Sequence, residues 1–552
     1  MRRSRTVSAA ALLAGSALLL SACSGGDGGD DADEAGAKSG GEIVNRGCQP
    51  ENPLVPGDTN ETCGGDVVDA LFTGLVEYDA ETAEARNAMA ESIETEDNKT
   101  FTVKVKEGWK FHDGTDVKAK NFVDAWNYTA YGPNGLQNGW WFEQVKGFAD
   151  TQCEDPEAGC KDGETKAKEL AGLKVVDDYT FTIETEAPFS VLPAKLGYTV
   201  FSPLPDSFFD DPDAFGRKPV GNGAFKFDSW ADNQEIVTSK FADYVGEQKP
   251  NVDKVTFKHY QDMDAAYDDL LAGNLDFHDQ IPTAALAGEK WKDDLADRAI
   301  EREVGIIQTV TLAPKFKGPG YSEFNKAVSL AVNREQITDK IFHGTYTPAT
   351  GWVSPVVDGY QEDACGEWCT YDPDKAKDML EEAKSKGFKV PKELATYYNA
   401  DGDHKPWSEA FANQVSQVFE GEFKLVAKPY PTFAELRADV NDRKIDGFFR
   451  TGWQMDFPHI ENFLNPLVKT GAASNDGLYS NKAVDDKLNE ADAADSTEEA
   501  TKLYQDAEKL LADDMPNIPM WYYGLAAGHS EKVENVKVTP FGTLDLYSIS
   551  VK

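Results

Sequence analysis

Six of the seven cysteines in this 552-residue chain fall into three close pairs: Cys48 with Cys63, Cys153 with Cys160, and Cys365 with Cys369. Paired thiols serve either metal binding or cross-linking. A zinc site needs a Cys-x2–4-Cys pair joined to a second such pair or to spaced histidines. Cys365-Gly366-Glu367-Trp368-Cys369 has the spacing but no partner pair, so no metal is expected. Disulfides persist outside the cytoplasm. Several connectivities are open in principle, but nearness along the chain favours Cys48–Cys63, Cys153–Cys160 and Cys365–Cys369.

Catalytic strings are scarce. Gly221-Asn222-Gly223 lacks the third glycine of a dinucleotide fingerprint. There is no Walker A lysine loop, no His-Glu-x-x-His and no Gly-x-Ser-x-Gly. Asn399, Asp401 and Asp403 begin like a calcium loop, but His404 stands where the glycine belongs and Glu409 falls one position short of the bidentate ligand. They form a polar turn on this reading. His112, in Lys110-Phe111-His112-Asp113-Gly114, sits in a tight turn. With 96 acidic residues, some carboxylate pairing is inevitable and names no hydrolase. The expectation is a protein that is not an enzyme and carries no cofactor.

The N-terminus points to export. Arg2, Arg3 and Arg5 precede an apolar run from Val7 to Leu20 and small residues at Ser21 and Ala22. A basic start, a short apolar core and small residues make a secretory signal over 1–22, too short to span a bilayer comfortably. Leu20-Ser21-Ala22-Cys23 resembles a bacterial lipobox, in which the cysteine after the cut receives a lipid. Residues 23–41 continue with glycine, serine and acids, a composition that makes a solvated tether. The expected location is the outer face of the cytoplasmic membrane, with the lipid on Cys23 as anchor. The balance of 55 basic and 96 acidic residues, a net charge of −41, repels nucleic acid. Length alone suggests about three domains.

The body is mixed α and β. Phe101, Val103 and Val105 alternate with Thr102, Lys104 and Lys106, the pattern of a half-buried strand. Tyr179, Phe181 and Ile183 repeat it, so these runs are expected to pair. Between them, Ala119, Phe122, Val123 and Trp126 recur at helical spacing. Asp372-Pro373 opens a helix that buries Ala376, Met379, Leu380 and Ala383 and ends at Gly387. Ser496 and Glu499 form a capping box ahead of Leu503, Tyr504, Ala507, Leu510 and Leu511.

Five separated segments carry a family resemblance: Gly65 to Tyr78 (GDVVDALFTGLVEY), Lys106 to Thr115 (KEGWKFHDGT), Pro219 to Phe227 (PVGNGAFKF), Phe324 to Glu335 (FNKAVSLAVNRE) and Gly452 to His459 (GWQMDFPH). In that order the chain, from about residue 42 onward, resembles the oligopeptide- and nickel-type (family 5) solute-binding proteins of ABC importers. The resemblance implies an α/β, two-lobed periplasmic-binding-protein-like fold with an additional inserted domain and a ligand cleft between the lobes. Lobe I would comprise 42–66, 195–305 and 520–552, the inserted domain 67–194, and lobe III 306–519. It implies a monomer that hands solute to ABC permease subunits.

In peptide-binding members an aspartate after a Gly-Trp pair accepts the ligand's α-ammonium, which places Asp456 in that role here. Trp453 would stack on the ligand or line the cleft; Trp140 and Trp141 are further aromatic candidates. Spacing alone favours Asp456 as the cap of a turn before Pro458 and Trp453 as a core residue, and the resemblance reverses that preference. Phe457-Pro458-His459 departs from the commoner Tyr-x-Asp/Glu-Pro continuation. A nickel chelate, with His459 near it, or an oligosaccharide therefore stands beside a peptide as ligand, and a secreted hydrolase stands as the reading from another class.

Overall fold

A computed structural model gives the fold and describes residues 40–153 and 160–552. The expected leader, Cys23 and the expected tether up to residue 39 lie outside the described residues. Among the described residues, no helix is long and apolar enough to cross a membrane.

Alternation places the paired strands as their pattern requires. Thr100–Val105 buries Phe101, Val103 and Val105, and Thr180–Glu184 buries Phe181 and Ile183. They run antiparallel with Phe101 opposite Ile183 and Val103 opposite Phe181. Ala90–Thr95 and Leu173–Asp177 complete a four-stranded sheet. Its apolar face is covered by the helix Ala119–Ala130, whose Phe122 and Trp126 meet Phe181 at centroid distances of 5.8 and 5.5 Å.

The rest of the chain is organised by one eleven-stranded sheet. At one end Lys424–Tyr430, Glu393–Asn399 and Phe448–Gln454 lie side by side, all parallel. At the other, Glu42–Gly47 pairs in parallel with Lys254–His259, followed antiparallel by Glu235–Lys240 and Phe225–Ala231. Two long antiparallel strands, Ala299–Leu312 and Ile518–His529, join these ends. Ala299 to Glu303 pair with Gly524 to Gly528, whereas Ile306 to Leu312 pair with Phe448–Gln454. Between these stretches the register slips at Val304-Gly305-Ile306. Gly305 N–H donates to Pro540 O, and its carbonyl accepts from Met455 N–H. Residues 40–298 with the segment after Gly524 thus form one half, and 306–523 the other, joined through two strands.

Helices cover the second half as their spacing predicts. Pro373–Lys386 is capped by Asp372, whose side chain accepts from Lys375 N–H, and ends on Gly387 at φ 112°. Thr497–Asp514 starts at Ser496, whose hydroxyl accepts from Glu499 N–H, and buries Tyr504, Ala507 and Leu511. In the first half, the boundary drawn at 66/67 would cut the continuous helix Thr62–Leu71. The Gly221-Asn222-Gly223 turn packs on the end of that helix. A Cβ at Gly221 would fall 1.9 Å from the Leu71 carbonyl oxygen, and one at Gly223 2.6 Å from the Leu71 carbonyl carbon. Asn222 accepts from Thr73 N–H and donates to Thr73 O. Close backbone approach, not phosphate binding, accounts for these glycines.

Sulfurs are bonded between Cys48 and Cys63, Cys153 and Cys160, and Cys365 and Cys369, with Cα separations of 5.1, 5.5 and 5.8 Å. Cys48 follows the strand Glu42–Gly47 and Cys63 opens the helix Thr62–Leu71, so the first bridge ties that helix to the main sheet. It spans 15 residues, worth about 3 kcal/mol in the chain-entropy account. Replacing both Cys48 and Cys63 by serine is expected to lower unfolding free energy by about 2–3 kcal/mol in urea titrations. An unchanged midpoint would mean that packing alone holds the helix.

Candidate functional site

A cavity of about 1870 Å³ lies between the halves. Drug-sized pockets run to roughly 300–1,000 Å³, so this one has room for a larger ligand with water around it. The first half lends the wall Asp69 and Tyr78, from and just after the helix Thr62–Leu71, and Tyr198. The second half lends Arg450 and Trp453, on the strand Phe448–Gln454, and Asp456 just beyond its end.

Asn462, in the helix Glu461–Val468, fixes the Asp456 region. Its amide nitrogen donates to Asp456 Oδ2 at 2.8 Å. Its carbonyl oxygen accepts from Asp456 N–H at 2.8 Å and from Trp453 Nε1–H at 3.1 Å. One buried amide thus orders both the carboxylate and the indole. Asp456 faces the cavity from deep in the molecule. Burial pushes its pKa up to about 7, against the opposing pull of hydrogen bonds from Asn462 and Tyr198 and the charge of Lys195.

A second carboxylate faces the same space. Asp69 is accessible from the cavity yet surrounded by protein, and burial raises it to about 7. Asp69 and Asp456 both press on the phenols of Tyr78 and Tyr198, which burial has already driven well above the usual range. Asp66, one turn before Asp69, is also raised by burial. Nearby Arg46 is committed elsewhere, clamping Asp279 with Nη2 to Oδ2 at 2.7 Å; that guanidinium holds Asp279 far below the carboxylate range against the cost of burial. Neither Asp69 nor Asp456 has a cation within ion-pair distance among the described residues.

The complementary group is Arg450. Its Nη1 donates to Asn399 Oδ1 at 3.2 Å, and its guanidinium lies 5.4 Å from the Phe433 ring centroid. Its Nε is buried without a partner, and burial lowers its pKa. Arg437, also on the cavity wall, is paired with Asp476 at 2.6 Å. Arg450 has no such carboxylate among the described residues.

The four proposed ligand residues are placed differently. Trp453, Asp456 and Trp140 line the cavity. Trp141 does not: it is 3% exposed and stacks on Tyr198 at 4.3 Å, behind the wall. His459 is buried too. Its Nδ1 accepts from Glu461 N–H and its Nε2 bonds Thr501 Oγ1, while burial lowers its pKa to about 4. His112 bridges Gly221 N–H and Gly223 O. Among the described residues, no three His, Cys, Asp or Glu side chains are placed to share a metal ion. Sequence reasoning missed Asn462, Tyr198, Asp69 and Arg450. Asn462 follows Asp456 by six positions, a spacing that becomes contact only because Pro458 and the helix start turn the chain back.

The family described as bacterial extracellular solute-binding proteins, family 5 (middle), matches residues 84–475. The glutathione-binding protein GsiB of Escherichia coli (strain K12) is 28% identical over 501 residues, covering 88% of this chain and 90% of its own. Haemophilus influenzae OppA in complex with the peptide RPPGFSPFR superposes with a TM-score of 0.81 at 24% identity, over 93% of this chain and 99% of that one. The murein tripeptide binding protein MppA of Escherichia coli superposes with 0.82 at 19% identity and the same coverage. The unliganded open form of MppA scores 0.66. The cleft between two halves joined by two strands and the match over most of the sequence lead to one conclusion: this chain belongs to the family 5 bacterial extracellular solute-binding proteins, which bind and do not catalyse.

Proposed function

We propose that this protein captures short peptides with a free amino terminus and delivers them to the permease of an ABC importer. The observation that carries the reading is the charge pattern of the cavity. Among the described residues, Asp456, braced by Asn462, and Asp69 have no cation within ion-pair distance on one part of the wall. Arg450 has no carboxylate within ion-pair distance on another, again among the described residues. An unpaired charge in a desolvated site is costly until a ligand supplies its partner, so the wall favours a zwitterion with separated ends. Peptide main chain fits between, with side chains in spacious, hydrated surroundings. The relatives support the class: GsiB is named for glutathione, itself a peptide with a free ammonium, and OppA was captured with RPPGFSPFR.

On this reading the chain works as a monomer of two lobes and an inserted domain, the lobes closing about the two shared strands. A lipid on Cys23 would hold it on the outer face of the cytoplasmic membrane, beside its permease, with residues 24–41 as tether. One acyl chain anchors only marginally, so more than one is needed. A nickel chelate is disfavoured by the inward position of His459.

Asp456→Ala is expected to weaken binding of a free tripeptide by about 30-fold or more, since losing one partner of a desolvated charge pair costs roughly 2–5 kcal/mol. N-acetylating the peptide should hurt the wild type strongly and the variant little, the signature of direct contact. Calorimetry on the four combinations checks this; equal losses in both proteins would make Asp456 structural.

Asn462→Ala removes a hydrogen bond to a charged group, about 1.5–3 kcal/mol, and is expected to cost about tenfold or more in affinity. Trp453 loses the same brace, so its fluorescence should shift in the ligand-free protein. Wild-type affinity with an unshifted spectrum would contradict the bracing role.

Binding an ammonium favours the ionised carboxylate and expels its proton. With Asp456 at about 7, affinity should be full above that pH and fall as pH drops from 8 to 6. Asp69, also near 7, should steepen the fall. A flat profile would refute ammonium capture by these groups.

A further inference from the structure

One ion pair among the described residues joins the two halves of the molecule, and it is fully buried. Lys195 closes the short helix Leu192–Lys195 in the first half. Glu461 opens the helix Glu461–Val468 in the second. Lys195 Nζ lies 3.6 Å from Glu461 Oε1, with both side chains 2% exposed. Each partner is held by its own half. Lys195 donates to Gln144 Oε1 at 3.2 Å and lies over the Trp141 and Phe189 rings at 5.0 and 5.5 Å. Glu461 Oε1 accepts from Asn465 Nδ2 at 3.0 Å, and Asn465 also donates to Asp492. Glu461 Oε2 is buried without a partner. Trp141 of the first half meets Phe457 of the second at 6.0 Å beside the pair.

We propose that Lys195 and Glu461 are the lock of the closed cleft, a pair that sets the register in which the halves meet and so positions Asp456 for its ligand. The physical reason is the asymmetry of buried charge. Two solvated ions lose water when the cleft shuts, and their attraction offsets that loss only when they meet. A slightly wrong closure leaves two uncompensated charges in an apolar setting lined by Trp141 and Phe189. The pair therefore adds little net stability and penalises every other register. Position follows from sequence: Asn462, which holds the Asp456 carboxylate, is the next residue after Glu461. Asp456 in turn meets Tyr198, three residues after Lys195. The role assigned to Asp456 rests on the peptide reading; the lock itself does not.

The test uses a ligand-independent report of closure. Thr497 Oγ1 donates to the Ser190 carbonyl at 3.3 Å across the halves, so Ser190→Cys with Thr497→Cys provides a disulfide trap for the closed state. In the ligand-free protein at pH 8, adding Lys195→Met should slow trapping at least tenfold. Adding Lys195→Met with Glu461→Leu should restore the rate to within about threefold, because an apolar pair has no unpaired charge to bury. Melting temperatures of the untrapped Lys195→Met protein should match wild type, since the open form keeps both ions in water. Wild-type trapping in the single variant would overturn the proposal. So would equal slowing in single and double variants, or a melting loss in the single variant that accounts for the slower trapping. Trialanine titrations should then follow the trapping rates. If trialanine and its tetra- and penta-alanine homologues fail to bind wild type, the peptide reading falls while the trapping result still decides the lock.

Discussion

The molecule depends on two strands that belong to both of its halves. Ala299–Leu312 and Ile518–His529 are paired with each other along most of their length, yet each end serves a different half of the sheet. The register slips at Val304-Gly305-Ile306, between Glu303 opposite Gly524 and Ile307 opposite Tyr522, and beyond the slip Phe448–Gln454 joins the other edge of the strand. A slip of this kind bends a strand and raises its twist. The halves therefore share backbone only where the ladder is already irregular, the place where a small dihedral change moves a whole lobe. Met455 N–H bonds the Gly305 carbonyl, so the residue beside Asp456 is tied to the same irregular point. The register slip and the cavity wall are neighbours in structure though far apart in sequence.

The second constraint is electrostatic. A protein with a net charge of −41 has carboxylates in excess everywhere, and most on this surface are solvated or paired with lysine. Two on the cavity wall, Asp69 and Asp456, differ: among the described residues neither has a cation within ion-pair distance. Burial raises Asp69 and Asp456 and leaves the Nε of Arg450 without a partner, and among the described residues none of the three side chains has an ion-pair partner. Arg46 with Asp279 and Arg437 with Asp476 are the internal contrast, since each of those is satisfied within the protein.

Legibility in the sequence followed the range of the interaction. Local patterns held. Phe101, Val103 and Val105 announced a strand, Asp372 a cap and Gly387 a helix end, because each depends on residues within one or two turns. Short cysteine spacings gave the bridges for the same reason. The site was less legible. Asp456 and Trp453 stood out through resemblance, while spacing alone left them as a cap and a core residue. Trp140 and Trp141 looked equivalent, but only Trp140 reaches the cavity, because in a tight helical turn neighbouring side chains point about 100° apart or more. Asp69 and Arg450 carried no local signal at all. An unpaired charge is recognised by the absence of a partner, and that absence exists only after distant segments are brought together.

Native mass spectrometry of the purified protein, from cells grown in peptide-rich medium, tests the central claim most directly. The account predicts retained masses that fragment as short peptides with free amino termini and that are lost from Asp456→Ala. A retained metal chelate or sugar, or peptides bound equally well by the Asp456→Ala protein, would contradict it.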